Sequence, residues 1–269
     1  MSQTLIFSGG GPWTLDDARF VQTKSLGIGV FDGLDFDTSG NSVFVCTSSS
    51  KSIIKKYDLS TPWDISTAAT VQKTTVSGAL SAQVVNGFTV RPNGLTFYVT
   101  GEGKVERYAL TSAWNISGAT LAETVVSLAT VSAAAAMALS SDGLKMFVSD
   151  KFPSRTIEEF ALTSAWTISA NSRLGAFSIT GSQIAYGLDF SDDGKTMFLL
   201  QENGVVRQYA LSSAWSLGSV TPGQAFNVVP PIDIVNAGDV VVVDGGTRMY
   251  IAEASAGGPA GQNLFQYSL

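Results

Sequence analysis

The 269-residue sequence contains no histidine, and this absence restricts the chemistry that the chain can perform. Ser-His-Asp and Cys-His nucleophile systems and His-ligated metal sites all need an imidazole, so these classes are excluded. The single cysteine, Cys46, excludes thiolate clusters and intrachain disulfides. No phosphate-binding loop of the GxxxxGK[ST] type is present. We therefore predict no catalytic residue and no cofactor.

Charge is also scarce. Charged residues make up 14% of the chain, and 16 basic residues stand against 22 acidic ones. Phosphate backbones and anionic membranes attract clustered Lys and Arg side chains, and the sequence shows no such cluster. We therefore predict neither a nucleic-acid partner nor a membrane contact of this kind.

Long apolar runs and a signal peptide are missing as well. No stretch approaches the ~20 apolar residues that span a bilayer, so membrane insertion is not expected. The N-terminus lacks a charged segment followed by an apolar one. We expect the protein to be made in the cytoplasm and, if it acts outside a cell, to leave by lysis or within a particle.

Tryptophans recur along the chain at intervals of 49 to 52 residues. Four of them stand in one phrase, represented by Tyr57 to Ser66 and Tyr108 to Ser117. A second marker precedes each phrase: a small residue begins an alternating strand and a turn glycine follows seven residues later. The small residues are Gly33, Gly87, Ala136, Gly187 and Gly238, and the turn glycines are Gly40, Gly94, Gly143, Gly194 and Gly245. Alternation, β-branched residues and Gly turns predict four short strands per unit, which is typical of a propeller blade.

The two ends of the chain complement each other. The fifth unit stops at Tyr267-Ser268-Leu269, before its Trp segment and fourth strand. The N-terminal segment 12–22 matches 62–72 and supplies the missing part. An open solenoid would instead carry degraded capping units at its ends. We predict an all-β, five-bladed β-propeller with four antiparallel strands per blade, closed by the N-terminal strand.

The predicted boundaries follow from these repeats. A single domain over 1–269 consists of an extension (1–11), the outer strand of blade 5 (12–29), blades 1 to 4 (30–78, 79–129, 130–180 and 181–229) and the inner three strands of blade 5 (230–269).

The regular spacing of the aromatic residues favours a structural role over a ligand cage. We predict that the following residues fill the wedges between blades: Trp13, Trp63, Trp114, Trp166, Trp215, Tyr57, Tyr108, Tyr209 and Tyr267. First strands crowd the axis of a small ring, so the five small residues that begin them are predicted to face it.

Two acidic residues, Asp35 and Asp189, occupy equivalent places in first strands and are expected beside the axis. Glycosidases need two carboxyl groups in one pocket, and a cation needs several oxygen ligands. Asp35 and Asp189 are weak candidates for an axial cation, and no D-x-D-x-D loop supports one. We predict no metal site, and a glycoside hydrolase remains a remote alternative.

The repeat resembles one found in structural proteins of tailed bacteriophages. The segments 57–68 and 191–198 carry this resemblance, which covers nearly the whole chain. It implies a non-enzymatic virion protein of the tail, baseplate or capsid surface that contacts other virion proteins. A carbohydrate- or receptor-binding propeller on the particle, with a host surface glycan as ligand, is the alternative. Irregular stretches outside the repeat are the predicted interfaces, with Leu5, Ile6, Phe7, Pro230, Pro231 and Pro259 as candidates.

Overall fold

The computed structural model describes residues 12–26, 31–47, 52–76, 80, 84–125, 128, 130–179, 181, 183–228, 237–253 and 263–269. These residues form five four-stranded antiparallel sheets arranged as a five-bladed β-propeller, which confirms the predicted fold class. No described segment forms an α-helix, and none is a helix long and apolar enough to cross a membrane.

Each of blades 1 to 4 is a simple meander whose strands pair in chain order. Alternating apolar residues and Gly-containing turns produce short strands of this kind. In blade 1 the strands are β2 (Phe31–Phe36), β3 (Ser42–Thr47), β4 (Ile53–Leu59) and β5 (Ala68–Thr75). In blade 2 they are β6 (Gly87–Val90), β7 (Thr96–Gly101), β8 (Lys104–Ala109) and β9 (Thr120–Val125).

The next two blades repeat this order. Blade 3 contains β10 (Ala134–Leu139), β11 (Lys145–Asp150), β12 (Thr156–Ser164) and β13 (Thr167–Ser178). Blade 4 contains β14 (Ala185–Phe190), β15 (Thr196–Gln201), β16 (Val205–Leu211) and β17 (Val220–Asn227). Short 3-10 turns at Ile65–Thr67 and Leu217–Ser219 precede the outer strands of blades 1 and 4.

Blade 5 joins the two ends of the chain. Its inner strands are β18 (Ala237–Val243), β19 (Arg248–Glu253) and β20 (Asn263–Ser268), and its outer strand is β1 (Arg19–Ser25). β1 pairs antiparallel with β20 from Arg19 opposite Ser268 to Ser25 opposite Asn263. The predicted closure by the N-terminal strand is therefore confirmed.

The hydrophobic core is divided among the five seams between neighbouring blades. Each of five apolar clusters draws residues from two adjacent blades. In the seam between blades 1 and 2, for example, Phe44 and Ile54 pack with Phe97 and Tyr108. Because the inner strands are covered by neighbouring blades while the outer strands stay largely exposed, the ring as a whole supplies the burial that stabilises each blade.

The predicted wedge residues occupy two different environments. Tyr57, Tyr108, Tyr209 and Tyr267 are almost fully buried in the seams. All five tryptophans are only partly buried, although Trp13, Trp63, Trp114 and Trp215 pack against the edges of seam clusters. The residue two positions after each tryptophan is the one that enters the core; these residues are Leu15, Ile65, Ile116, Ile168 and Leu217.

The small residues of the first strands lie against the neighbouring first strand. A Cβ on Gly33 would stand 2.5 Å from the Cβ of Phe88, and one on Gly187 would stand 2.5 Å from the backbone nitrogen of Val240. A Cβ on Gly87 would stand 2.9 Å from the Cα of Ala136. Such separations leave no space for a side chain, so close approach of the inner strands requires these glycines.

In blade 5, the residues that correspond to Gly33 and Gly40 of blade 1 are Asp239 and Gly246, each one position later than the repeat spacing predicts. Asp239 pairs with Ala252 immediately after a bulge, as Gly33 pairs with Cys46 in blade 1. Gly246, rather than Gly245, accepts the hydrogen bond from its blade's tryptophan. Gly238 nevertheless approaches the next blade, because a Cβ there would overlap the carbonyl oxygen of Phe31.

Candidate binding funnel

A cavity of about 510 Å³ opens around the axis at one end of the ring, and we call it the funnel. In each blade, the turn from first to second strand and the segment that precedes the fourth, outer strand lie at this end. We call this end the Trp face, and we call each segment before an outer strand, which carries a tryptophan, a Trp corner. All five tryptophans line the funnel, together with the ends of the first strands and the turns that follow them.

Each tryptophan is held by the turn glycine of its own blade. The tryptophans have φ between +57° and +67°, and the glycines Gly40, Gly94, Gly143, Gly194 and Gly246 have φ between +68° and +81°. The tryptophan N–H donates to the glycine carbonyl over 2.8 to 2.9 Å. A Cβ on any of these glycines would overlap the indole ring. A bulky residue in the left-handed region is strained, so its repetition in every blade shows that surrounding contacts impose it.

The preceding blade also binds each Trp corner through its backbone. The hydroxyl groups of Tyr250 and Tyr98 donate to the carbonyls of Trp63 and Trp166 over 2.5 and 2.8 Å. In the same way, Lys145 Nζ donates to Trp215 O and Gln208 Nε2 donates to Trp13 O. In the opposite direction, backbone N–H groups of the corners donate to side chains of the preceding blade: Ile116 N to Gln72 Oε1, Ile168 N to Glu123 Oε2 and Leu217 N to Glu159 Oε2. The indoles are thereby fixed by two blades at once.

One indole is already in contact with a cation. The guanidinium carbon of Arg91, in the blade 2 turn, lies 4.9 Å from the ring centroid of Trp166 in blade 3. This is the geometry of a cation–π interaction. Arg91 follows the last residue of its first strand, and residues at the same place in blades 1, 3 and 4 are Asp37, Ser140 and Ser191. Only blade 2 therefore carries a basic residue at this place among these four.

The two predicted axial carboxylates both line the funnel, and both are tied to the next blade. Asp35 Oδ2 accepts from Val90 N over 2.7 Å and from Thr89 Oγ1 over 3.0 Å. Asp189 Oδ2 accepts from Val242 N over 2.6 Å. In each, Oδ1 accepts from the next backbone N–H of its own strand.

A third carboxylate makes the same kind of bridge, and sequence reasoning did not identify it. Asp239 Oδ2 accepts from Leu34 N over 2.9 Å, which links blade 5 to blade 1. We call Asp35, Asp189 and Asp239 the bridging aspartates. Asp239 escaped notice because its counterparts in blades 1 and 4 are glycines, so no repeated acidic position marks it in the sequence.

Burial raises the pKa of all three bridging aspartates. The pKa of Asp35 rises to about 6 and that of Asp189 to about 8, and that of Asp239 also rises well above its ordinary value. Hydrogen bonds from backbone N–H groups oppose this rise, because they stabilise the ionised form. Nearby carboxylates add to it at Asp189 and Asp239.

The funnel lining combines indole surfaces with acidic groups. Among the described residues that line it, five are aspartates and none is Lys or Arg; the aspartates are Asp35, Asp37, Asp189, Asp192 and Asp244. Within the described part of the chain, no three His, Cys, Asp or Glu side chains are grouped closely enough to hold a metal ion. An aromatic cavity of this volume with a few polar groups is typical of a small-molecule site.

Leu5, Ile6, Phe7, Pro230, Pro231 and Pro259 lie outside the described residues. The tryptophans were assigned to the wedges; four of them pack at the edges of the seam clusters, and all five also line the funnel. Their recurrence in a phrase with glycine turns was the available signal, but it does not reveal which side of each indole is covered.

Comparisons with known proteins support the fold and give no activity. No family model and no curated protein matches the chain. A functionally unknown protein from Desulfotomaculum acetoxidans is similar in structure, with a TM-score of 0.50 and 14% identity, over 83% of this chain and 65% of that one. A protein from Lactobacillus plantarum is also similar in structure, with a TM-score of 0.51 and 15% identity, over 82% of this chain and 63% of that one. The chain thus spans less than two thirds of each neighbour.

Proposed function

We propose that the chain is a non-enzymatic structural protein of a tailed-bacteriophage particle, located in the tail, in the baseplate or on the capsid surface. The repeat resembles that of tailed-bacteriophage structural proteins over nearly the whole chain, and this resemblance supports a location in the virion. The partners are then other virion proteins. Neither nucleic acid nor a membrane is proposed as a partner, since the chain is acidic overall and has no basic cluster.

The architecture supports a role exercised through contacts. The Trp face is fixed by the same glycine–tryptophan contact in all five blades. The connections at the other end of the ring, which we call the opposite face, vary from 102–103 in blade 2 to 254–262 in blade 5. Rigid scaffolds with variable connections are typical of binding proteins, because the loops change without disturbing the core.

The funnel favours a second candidate function, the binding of a carbohydrate or receptor on the particle surface. Sugar rings present C–H groups to aromatic faces and hydroxyl groups to carboxylates, and the funnel offers both kinds of surface. This function is compatible with the first, because a virion structural protein can also attach to a host surface glycan.

The contacts of Asp35 and Asp189 count against a glycoside hydrolase. A general acid and a nucleophile must reach the glycosidic bond. Each of these side chains has both carboxylate oxygens occupied by N–H donors, and one oxygen of each joins two blades. A bridging role between blades explains these aspartates without catalysis.

Two measurements test the proposal. Mass spectrometry and cryo-microscopy of purified particles of the virus that encodes the chain should find it at stoichiometric copy number and show its neighbours. Absence from purified particles, with the protein present in infected cells, would contradict the virion assignment. A glycan array that includes bacterial surface polysaccharides tests the second candidate, and silence across it would remove carbohydrate binding.

A further inference from the structure

We propose that the funnel binds a cationic saccharide, a short oligosaccharide whose sugar rings carry free amino groups. This inference rests on the carbohydrate-binding function proposed above, and it adds the location of the site and the charge of the ligand. Three observations carry it: the arrangement of the indoles, the charge of the lining, and the cation that one indole already holds.

The indoles form a ring of rigid aromatic surfaces around the axis. Each is fixed by its turn glycine, and each Trp corner is also bound by the preceding blade, so little side-chain freedom remains to be lost on binding. Binding that orders few side chains costs less free energy. The tryptophans remain partly exposed despite these contacts, and their exposed surface is directed to the funnel.

The acidic lining of the funnel favours a positively charged ligand. Asp192 is exposed at the mouth, and Asp37 and Asp244 lie in neighbouring turns. Arg248 pairs with Asp244 over 2.8 Å and partly offsets its charge. Because none of the described lining residues is Lys or Arg, and the nearby Arg91 and Arg248 contact Trp166 and Asp244, an anionic sugar would meet more carboxylates than cationic groups. A protonated amine would instead be attracted by both the carboxylates and the indole faces.

The contact between Arg91 and Trp166 shows that an indole on this face accepts a cation. The repeat places Asp37, Ser140 and Ser191 where Arg91 stands, so three other seams lack an arginine at this place. A ligand amine would take the place beside these indoles that the guanidinium takes beside Trp166. The cavity of about 510 Å³ suits a short oligosaccharide.

Intrinsic tryptophan fluorescence reports on this site, because all five tryptophans of the chain line the funnel. Tryptophan fluorescence should be titrated with glucosamine tetramer at pH 6, where its amines are protonated. N-acetylglucosamine tetramer serves as the neutral comparison and tetragalacturonate as the anionic one. The cationic tetramer is expected to bind at least 10-fold more tightly than the neutral one, and the anionic one should bind most weakly.

Two variants and their matched controls test the location. Asp192→Asn removes an exposed charge at the mouth and should weaken the cationic tetramer 3- to 10-fold, whereas Glu102→Gln makes the same charge change on the opposite face and should alter it less than 2-fold. Ser141→Arg places a cation in the lining and should weaken binding more than 10-fold. Ser154→Arg, in an exposed turn of the opposite face, should not.

The outcomes separate this inference from the proposed function. Equal or tighter binding of the neutral or anionic tetramer overturns the inference. So does equal weakening by Glu102→Gln and Asp192→Asn, or no binding of the cationic tetramer. If the array then identifies another glycan whose binding survives Ser141→Arg, carbohydrate binding stands and the funnel is not its site. If the array is also silent, both proposals fail.

Discussion

The two faces of the ring are built under different constraints. On the Trp face, the turns from first to second strand have five residues in four blades and four in blade 5. On the opposite face, the connections from second to third strand range from two residues (102–103) to nine (254–262). The same strands end at both faces, so the strands themselves do not cause this difference.

The contacts of the connections explain the difference. Every first-to-second-strand turn on the Trp face supplies a glycine to an indole, and that indole belongs to a corner bound by the preceding blade. A change of length there would disturb a seam. On the opposite face, the blade 3 turn exposes Phe152 with half of its surface accessible, and Pro153 and Ser154 are also exposed. Contacts made across a seam therefore restrict a connection.

The sharpest test of this comparison replaces one glycine on each face. Gly143→Ala places a Cβ into the indole of Trp166 at φ +71°, whereas Gly181→Ala meets only Gln183 Cγ at 3.9 Å at φ +77°. The first should lower the free energy of unfolding by more than about 3 kcal/mol. The second should lower it by about 1 kcal/mol, the cost of a positive φ alone. Urea denaturation measures both, and equal losses would refute the comparison.

A second test uses the bridging aspartates, of which Asp35 and Asp189 join neighbouring blades beside the funnel. Because their pKa values are raised in the folded ring, the folded state binds more protons than the unfolded chain between about pH 4 and pH 8. Stability should therefore be greatest at the acidic end of this range and fall as the pH rises through about 6 and about 8. The chain has no histidine to produce such a dependence.

Asp189→Asn isolates this effect. It should flatten the loss of stability between pH 5 and pH 8.5 by on the order of 1–2 kcal/mol, since the funnel leaves the carboxyl group partly solvated. Asp142→Asn is the control, because hydrogen bonds hold the pKa of Asp142 below its ordinary value and it stays ionised throughout this range. Thermal melts at a series of pH values measure the slope. An unchanged slope in Asp189→Asn would contradict the assignment.

A smaller effect is expected from the contact between blades 2 and 3. Tyr98→Phe removes the hydrogen bond to the Trp166 carbonyl and should cost about 1 kcal/mol. Phenylalanine fits this place, because the second-strand residues equivalent to Tyr98 in blades 1, 3 and 4 are Phe44, Phe147 and Phe198. Tyr186→Phe is the control, because Tyr186 contacts Lys151 through its ring. If the control costs as much, the hydrogen bond to the corner has no special weight.

The smallest effect is expected on the opposite face. Phe152→Ser removes an exposed ring that the Arg155 guanidinium approaches to 5.6 Å. The loss of unfolding free energy should stay below about 0.5 kcal/mol, as is usual for surface substitutions. A loss above 1 kcal/mol in urea denaturation would show that this turn also supports a seam.

The fold was predictable because its signals are periodic. Tryptophans every 49 to 52 residues and complementary chain ends specify a closed ring of five units, and β1 pairs with β20 accordingly. The role of the tryptophans was not predictable in the same way. Their periodicity is equally compatible with burial in a wedge and with exposure to a funnel. The choice depends on Leu15 and its four counterparts, which enter the core in their place.

Blade 5 shows where sequence alignment was insufficient. Gly238 and Gly245 preserve the spacing of the other blades, but the inner-strand bulge precedes Asp239 and the turn places Gly246 against Trp13. Bulges depend on local backbone geometry and are not specified by a hydrophobic pattern. The bridge from Asp239 to Leu34 was missed because the equivalent residues of blades 1 and 4 are Gly33 and Gly187, so the repeat carries no acidic signal there.

Closure of the ring has a kinetic consequence. The side chains of Gln22 and Gln266 meet across the β1–β20 pair although 244 residues separate them along the chain. Contacts this distant in sequence carry the largest loop-closure entropy, so the pair is expected to form late in folding. Once formed, it places the tryptophan nearest the start of the chain, Trp13, against Gly246 close to its end. Unfolding from either end must then break a seam before a strand can leave, which delays loss of the native ring by slowing its first opening step.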